Sequence, residues 1–176
     1  SAVFSLNLLR DLCLTPSLHD SLICMTDINP ERLDAVYRLC QRYAEEVGVK
    51  MRLEKTLDRR EALQDADFVV NTALTAGHER LRDGLAIGHK HGYRFGGSYH
   101  VMHDEAFWIN FYQLRHMVSL TEDILTVCPN AWHVMVANPV LAATTYLGRV
   151  YPQAKVVGLC HGFSHVYHVA KILGYD

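Results

Sequence analysis

Five short apolar runs constrain this chain more than any other feature. Ser21–Ile28, Met51–Thr56, Ala66–Val70, Ala131–Ala137 and Ala154–Leu159 are separated by stretches with helical spacing or turn residues. Strands that are apolar nearly throughout belong to sheets covered on both faces, and helices between them make those sheets parallel. The expectation is an α/β fold, a doubly wound and mostly parallel sheet. Helix signals agree with it. Asn29-Pro30-Glu31 supplies a capping residue, a proline for the first helical position and a first-turn acid. Leu33, Val36, Tyr37, Cys40, Tyr43, Ala44 and Val47 follow at three- and four-residue spacing, and Gly48 stops the helix.

The spacing predicts a short helix around Arg59–Leu63, one long helix over Asp104–Val127 ended by Pro129, and a closing helix over Ser164–Leu173. The glycine- and histidine-rich middle, Gly77–Tyr99, reads as partly irregular. The opening Ser1-Ala2-Val3-Phe4 runs straight into an amphipathic pattern, as though the chain begins inside a helix whose preceding strand is absent.

Composition bounds the function. The 176 residues are 49% hydrophobic and 20% charged, which suits one globular domain over 1–176. A net charge of -2 and scattered Lys and Arg give no reason to expect nucleic acid or a membrane surface. No apolar run approaches the roughly 20 residues that span a bilayer. The five cysteines, Cys13, Cys24, Cys40, Cys128 and Cys160, are odd in number and contain no CxxC. Reduced thiols, buried at Cys13, Cys24 and Cys40, are expected, and with them a cytoplasmic protein.

In such sheets the carboxyl ends of the strands line the ligand crevice. Those ends read Asp27, Asn71-Thr72-Ala73, Asn138-Pro139 and Cys160-His161-Gly162, polar or small where the strands were apolar. Asp27 suits an acid that accepts from an adenosine ribose, or simply the turn of DINP. Asn138 before Pro139 suits an amide aimed at a hydroxyl, or a plain turn. Asp104 suits a helix cap. His165 and His168, and His100 and His103, lie at i, i+3 spacing, yet every standard zinc spacing is absent. Cys160 is either a metal ligand or a structural thiol.

The ordered set SAVFSLNLLRDL, MTDINPERLDA, ADFVVNTA, the GHxxGY region, MVANPV and VGLCHG resembles the NAD- and manganese-dependent glycosidases of glycoside hydrolase family four, especially the α-glucosidase branch. The resemblance implies that residues 1–176 are a Rossmann-like, NAD-binding domain, without the first strand and the C-terminal half of the family chain. It implies cofactor contacts from Ser1 and Ala2 at the phosphate loop, Asp27 at the ribose, and Asn71 with Ala73 beside the nicotinamide. It implies Cys160 as a metal ligand, Asn138 and His161 as substrate-binding residues, and Asp104 as an acid of the active site. A second metal ligand and the general base are expected beyond Asp176. Family members are commonly dimers or tetramers.

The chemistry so implied departs from the usual pair of carboxylates. A hydride leaves C3 of the sugar for NAD, the C2 proton becomes acidic, and the leaving group is eliminated. Water then adds and the hydride returns, with a divalent metal such as Mn²⁺ acting as Lewis acid. The CHG form of the cysteine motif, where phospho-sugar enzymes of the family carry Asn at the position of His161, points to an unphosphorylated α-linked sugar. Glucosides, galactosides and uronides all stay open. A hydroxy-acid dehydrogenase of the same fold, with Arg80, Arg82 or Arg94 clamping a carboxylate, is the rival enzyme. A dinucleotide-binding module without turnover is the rival of another class.

Overall fold

The computed structural model describes residues 2–75, 77–93, 107–160 and 162–175. They group into two compact units, Ser1–Ala66 with Thr126–Cys128, and Asp67–Leu125 with Pro129–Asp176. Among the described residues all strand pairing in both units is parallel.

The first unit runs α1 (Ala2–Cys13), a 3-10 turn at Pro16–Leu18, β1 (Leu22–Thr26), α2 (Pro30–Glu46), β2 (Arg52–Thr56) and α3 (Arg59–Ala62). Strands β1 and β2 align from Leu22 opposite Arg52 to Thr26 opposite Thr56, with α2 as the crossover that parallel pairing requires. The start of α2 is fixed as its sequence suggests: Asn29 Oδ1 accepts from the Arg32 N–H at 2.8 Å, and Pro30 takes the first helical position. Gly48 ends it at φ +74°, a conformation that costs a residue without Cβ little. Leu9, Cys13, Cys40 and Ala44 form the core between α1, α2 and the sheet, with Ile23, Met25 and Leu53 against them.

The second unit runs β3 (Phe68–Asn71), α4 (Gly77–Lys90), α5 (Phe107–Val127, whose last residues belong to the first unit), β4 (Trp132–Met135), α6 (Val140–Val150), β5 (Lys155–Gly158) and α7 (Gly162–Ile172). Its sheet has the order β3-β4-β5, so that Asn71, Met135 and Gly158 stand side by side at the carboxyl edge. Met117, Met135, Ala137, Ala143 and Leu147 form its core.

Of the stretch read as partly irregular, Gly77–Lys90 is a helix in which Gly84 and Gly88 are buried, and 91–93 leaves it in a turn. The described part of the long helix starts at Phe107, and Asp104 lies outside the described residues. The thiols behave largely as expected. Cys13, Cys40 and Cys128 are buried, Cys24 is half-buried, and Cys160 is exposed. Among the described residues no helix is long and apolar enough to cross a membrane.

Candidate active site

In the first unit Asp27, the residue after β1, stands in a shallow hollow that Ser5, Met25, Arg32 and Val36 also line. The carboxylate is tightly held. Arg32 Nε donates to Oδ2 at 2.9 Å and Arg32 Nη2 to Oδ1 at 2.7 Å, while the Asn29 N–H donates to Oδ1 at 2.9 Å. A guanidinium fork on both oxygens is the strong form of this pair. The fork holds the Asp27 carboxyl below the usual carboxylate range, with the Asn29 N–H helping, against an upward push from partial burial. A carboxylate has about four acceptor positions, so these three contacts leave one free on Oδ2. Ser5 belongs to the first turn of α1, so the hollow joins Asp27 to the helix that Ala2 begins. Ser1 lies outside the described residues.

In the second unit the strand ends meet at one sheet edge. The Asn71 carbonyl accepts from the N–H groups of Val136 and Ala137 at 3.0 and 2.9 Å, and the Leu159 N–H donates to the Met135 carbonyl at 2.8 Å. This ties the segments leading to Ala73, Asn138 and Cys160 to neighbouring strands. The Asn71 side chain is buried and turned inward: Oδ1 accepts from the Ala73 N–H at 3.1 Å, and Nδ2 faces Met135 Sδ at 3.6 Å. Asn71 thus shapes the turn after β3. Asn138 is half-buried and joined to Pro139 by a cis peptide bond. Cys160 is exposed two residues past β5. His161 lies outside the described residues, as does Asp104.

One residue of this edge escaped the sequence reading. Gln113 on α5 is 2% exposed and holds the loop after β3. Its Oε1 accepts from Thr75 N–H at 2.9 Å and Thr75 Oγ1 at 2.8 Å, and its Nε2 donates to the Ala73 carbonyl at 2.5 Å. The signal was present: Gln113, Met117, Leu120, Thr121 and Ile124 are all buried at helical spacing, and a lone amide in that stripe needs partners.

No group of three or more His, Cys, Asp or Glu side chains gathers for a cation among the described residues.

The model of the family 4 glycosyl hydrolases matches residues 1–174. The chain belongs to that family. It is 34% identical over 137 residues to a 6-phospho-beta-glucosidase of Escherichia coli (strain K12), a match covering 74% of this chain and 28% of the relative. It is 28% identical to an alpha-galactosidase of Rhizobium meliloti (strain 1021), covering 97% of this chain and 35% of that one. A crystal structure of a 6-phospho-alpha-glucosidase from gut microorganisms, in complex with NAD and Mn²⁺, superposes over the whole chain with a TM-score of 0.84 at 20% identity, covering 40% of that structure. The chain therefore spans about a third of the length of the family relatives it matches, and the α/β, Rossmann-like reading of its fold holds over its full length.

Proposed function

We propose that this chain is the dinucleotide-binding portion of a glycosidase that hydrolyses the O-glycosidic bond of an α-linked sugar, using NAD and a divalent metal such as Mn²⁺. The observation that carries the reading is Asp27, an ionised carboxylate fixed at a strand end in a hollow edged by the first turn of α1. That is where a Rossmann-like fold places the acceptor for a ribose hydroxyl. NAD, when bound, supplies reversible hydride acceptance. The chain's own contribution is positional. Asp27 binds the ribose, Ala2 lies at the phosphate end, and the Asn71–Ala73 turn, braced by Gln113, lines the nicotinamide side.

Cys160 would hold the metal, since its thiol is exposed at the same sheet edge as Asn138. A metal supplies Lewis-acid stabilisation at the sugar oxygens. One thiolate is a soft and insufficient partner for Mn²⁺, so the remaining donors come from outside the described residues. Asn138 and His161 would meet the sugar and Asp104 would serve as the acid near it. The substrate is a small sugar bound by a homodimer or homotetramer. The α-linkage rests on the CHG motif and on an alpha-galactosidase relative that matches 97% of this chain, whereas the beta-phosphoglucosidase matches 74%.

The test is release of p-nitrophenol from a panel of α- and β-glycosides, free and 6-phosphorylated, including glucuronides, by the longest natural form containing this chain. Hydrolysis of an unphosphorylated α-glycoside should require NAD, Mn²⁺ and a thiol reductant, and Cys160→Ala should abolish it. Preference for a 6-phospho-β-glucoside would overturn the substrate assignment. Hydrolysis that persists without NAD would overturn the mechanism, and NAD reduction by a hydroxy acid without hydrolysis would mark a dehydrogenase.

A further inference from the structure

Gln113 does more than satisfy itself inside an apolar stripe. Its side chain is buried on α5, and both ends of its amide are spent on the turn after β3. Oε1 accepts from the Thr75 N–H and hydroxyl, and Nε2 donates to the Ala73 carbonyl. From the strand side, the buried Asn71 Oδ1 accepts from the Ala73 N–H. Two buried amides thus grip Ala73 at its N–H and at its carbonyl. Thr75 itself is exposed, so the grip reaches a residue that burial does not hold. The geometry needs an amide. A carboxylate in its place would accept from Thr75 but turn a negative oxygen on the Ala73 carbonyl. An apolar side chain would leave the carbonyl and the Thr75 N–H without these partners, and the turn would open toward water to satisfy them.

Resting on the proposed dinucleotide site, we propose that Gln113 is a positioning residue for the nicotinamide half of the dinucleotide. It acts through the turn and not on the ligand. By holding residues 73–75 in one arrangement beforehand, it spares binding the cost of ordering them. The adenosine half falls to Asp27, which Arg32 and Asn29 fix. The effect of Gln113 is therefore confined to the nicotinamide.

Calorimetric titration of the longest natural form containing this chain, with NAD⁺ and with ADP-ribose, separates the two halves without turnover, because ADP-ribose lacks the nicotinamide. The wild-type protein should bind NAD⁺ more tightly than ADP-ribose. Gln113→Met, similar in length but without the amide, and Gln113→Glu should each weaken NAD⁺ binding about tenfold, the scale of ordering a side chain or loop residue on binding. Neither should change the affinity for ADP-ribose. Thermal melting reports whether each variant is folded. Thr75→Val, at an exposed position and lacking one donor to Oε1, carries the same test if neither Gln113 variant folds, with a fall of about threefold. Loss of NAD⁺ affinity at constant ADP-ribose affinity supports the proposal. A merely structural role would weaken both ligands together, and that result, or no change in either, overturns it while leaving the dinucleotide reading intact. Equal wild-type affinity for the two ligands also overturns it, since the turn then reads no nicotinamide. Failure of the wild-type protein to bind either ligand overturns the dinucleotide reading as well.

Discussion

His133 is a buried residue that the strand pattern hides. It sits in the middle of β4, 1% exposed, with Val69 and Val156 beside it on the neighbouring strands. Thr121 Oγ1 donates its one proton to the Met117 carbonyl at 2.8 Å, so the contact of 3.2 Å to His133 Nδ1 is a ring N–H donated to the hydroxyl oxygen. Nε2 then carries a lone pair with no hydrogen-bond partner among the described residues. Burial, aided by His116, lowers the imidazole pKa to about 4. A base whose folded pKa lies below its unfolded value of about 6.5 contributes stability that is complete above that value and is lost as pH falls toward the folded pKa. The expected outcome is a loss of about 2 kcal/mol between pH 7.5 and pH 5 in urea denaturation, attributable to this one group. His133→Leu should flatten that part of the pH profile. An unchanged slope would mean the ring is protonated or hydrated in the fold. Asp27 and Cys160 were legible because they break an apolar run at its end. His133 and Gln113 were not, because a polar side chain inside a regular pattern reveals its role only once its partners are in place.

At the scale of elements, β5 and α6 pack as closely as the chain allows. A Cβ built on Gly158, the last residue of β5, would stand 2.6 Å from Val140 Cγ1 and 2.8 Å from Thr144 Cγ2. Both neighbours are β-branched and have little freedom at χ1, and Val140 is buried. Gly158 itself is exposed, so Gly158→Ala should cost about 1 kcal/mol, the low end of the range for overpacking, read as a lower denaturation midpoint. Because Cys160 follows two residues later, the same change should also alter the reaction rate of its exposed thiol with Ellman's reagent. Val140→Ala in the same chain should restore part of both. An unaltered midpoint would show that the helix can move away freely. Sequence pattern found β5 and the closing helix within a few residues of their positions, because apolar runs and caps are local. It did not locate the Gly77–Lys90 helix within a stretch it read as partly irregular, because glycines inside a helix look in sequence like glycines that make turns.

For the molecule as a whole, the two candidate cofactors differ in how much of their site the described residues supply. The proposed dinucleotide contacts draw on several described residues in each unit, the Asp27 hollow with the start of α1 in the first and the braced strand-end turn in the second. The proposed metal contact is one exposed thiol. Order along the chain reveals which strand ends carry polar residues, but it does not tell how many donors converge, since ligands at a sheet edge are neighbours in space and not in sequence. The two binding events should therefore separate experimentally in the 176-residue chain. NAD⁺ should bind measurably by calorimetry. Mn²⁺, followed by the electron paramagnetic resonance of the free ion, should bind no tighter than about 1 mM, as expected of a hard cation offered a lone soft ligand. Micromolar Mn²⁺ binding lost in Cys160→Ala would show that side chains outside the described ones complete the coordination, and would place a working metal site within this third of the family's length. Weak binding that Cys160→Ala leaves unchanged would show instead that Cys160 holds no metal in this chain by itself, which spans 28% and 35% of two relatives it matches.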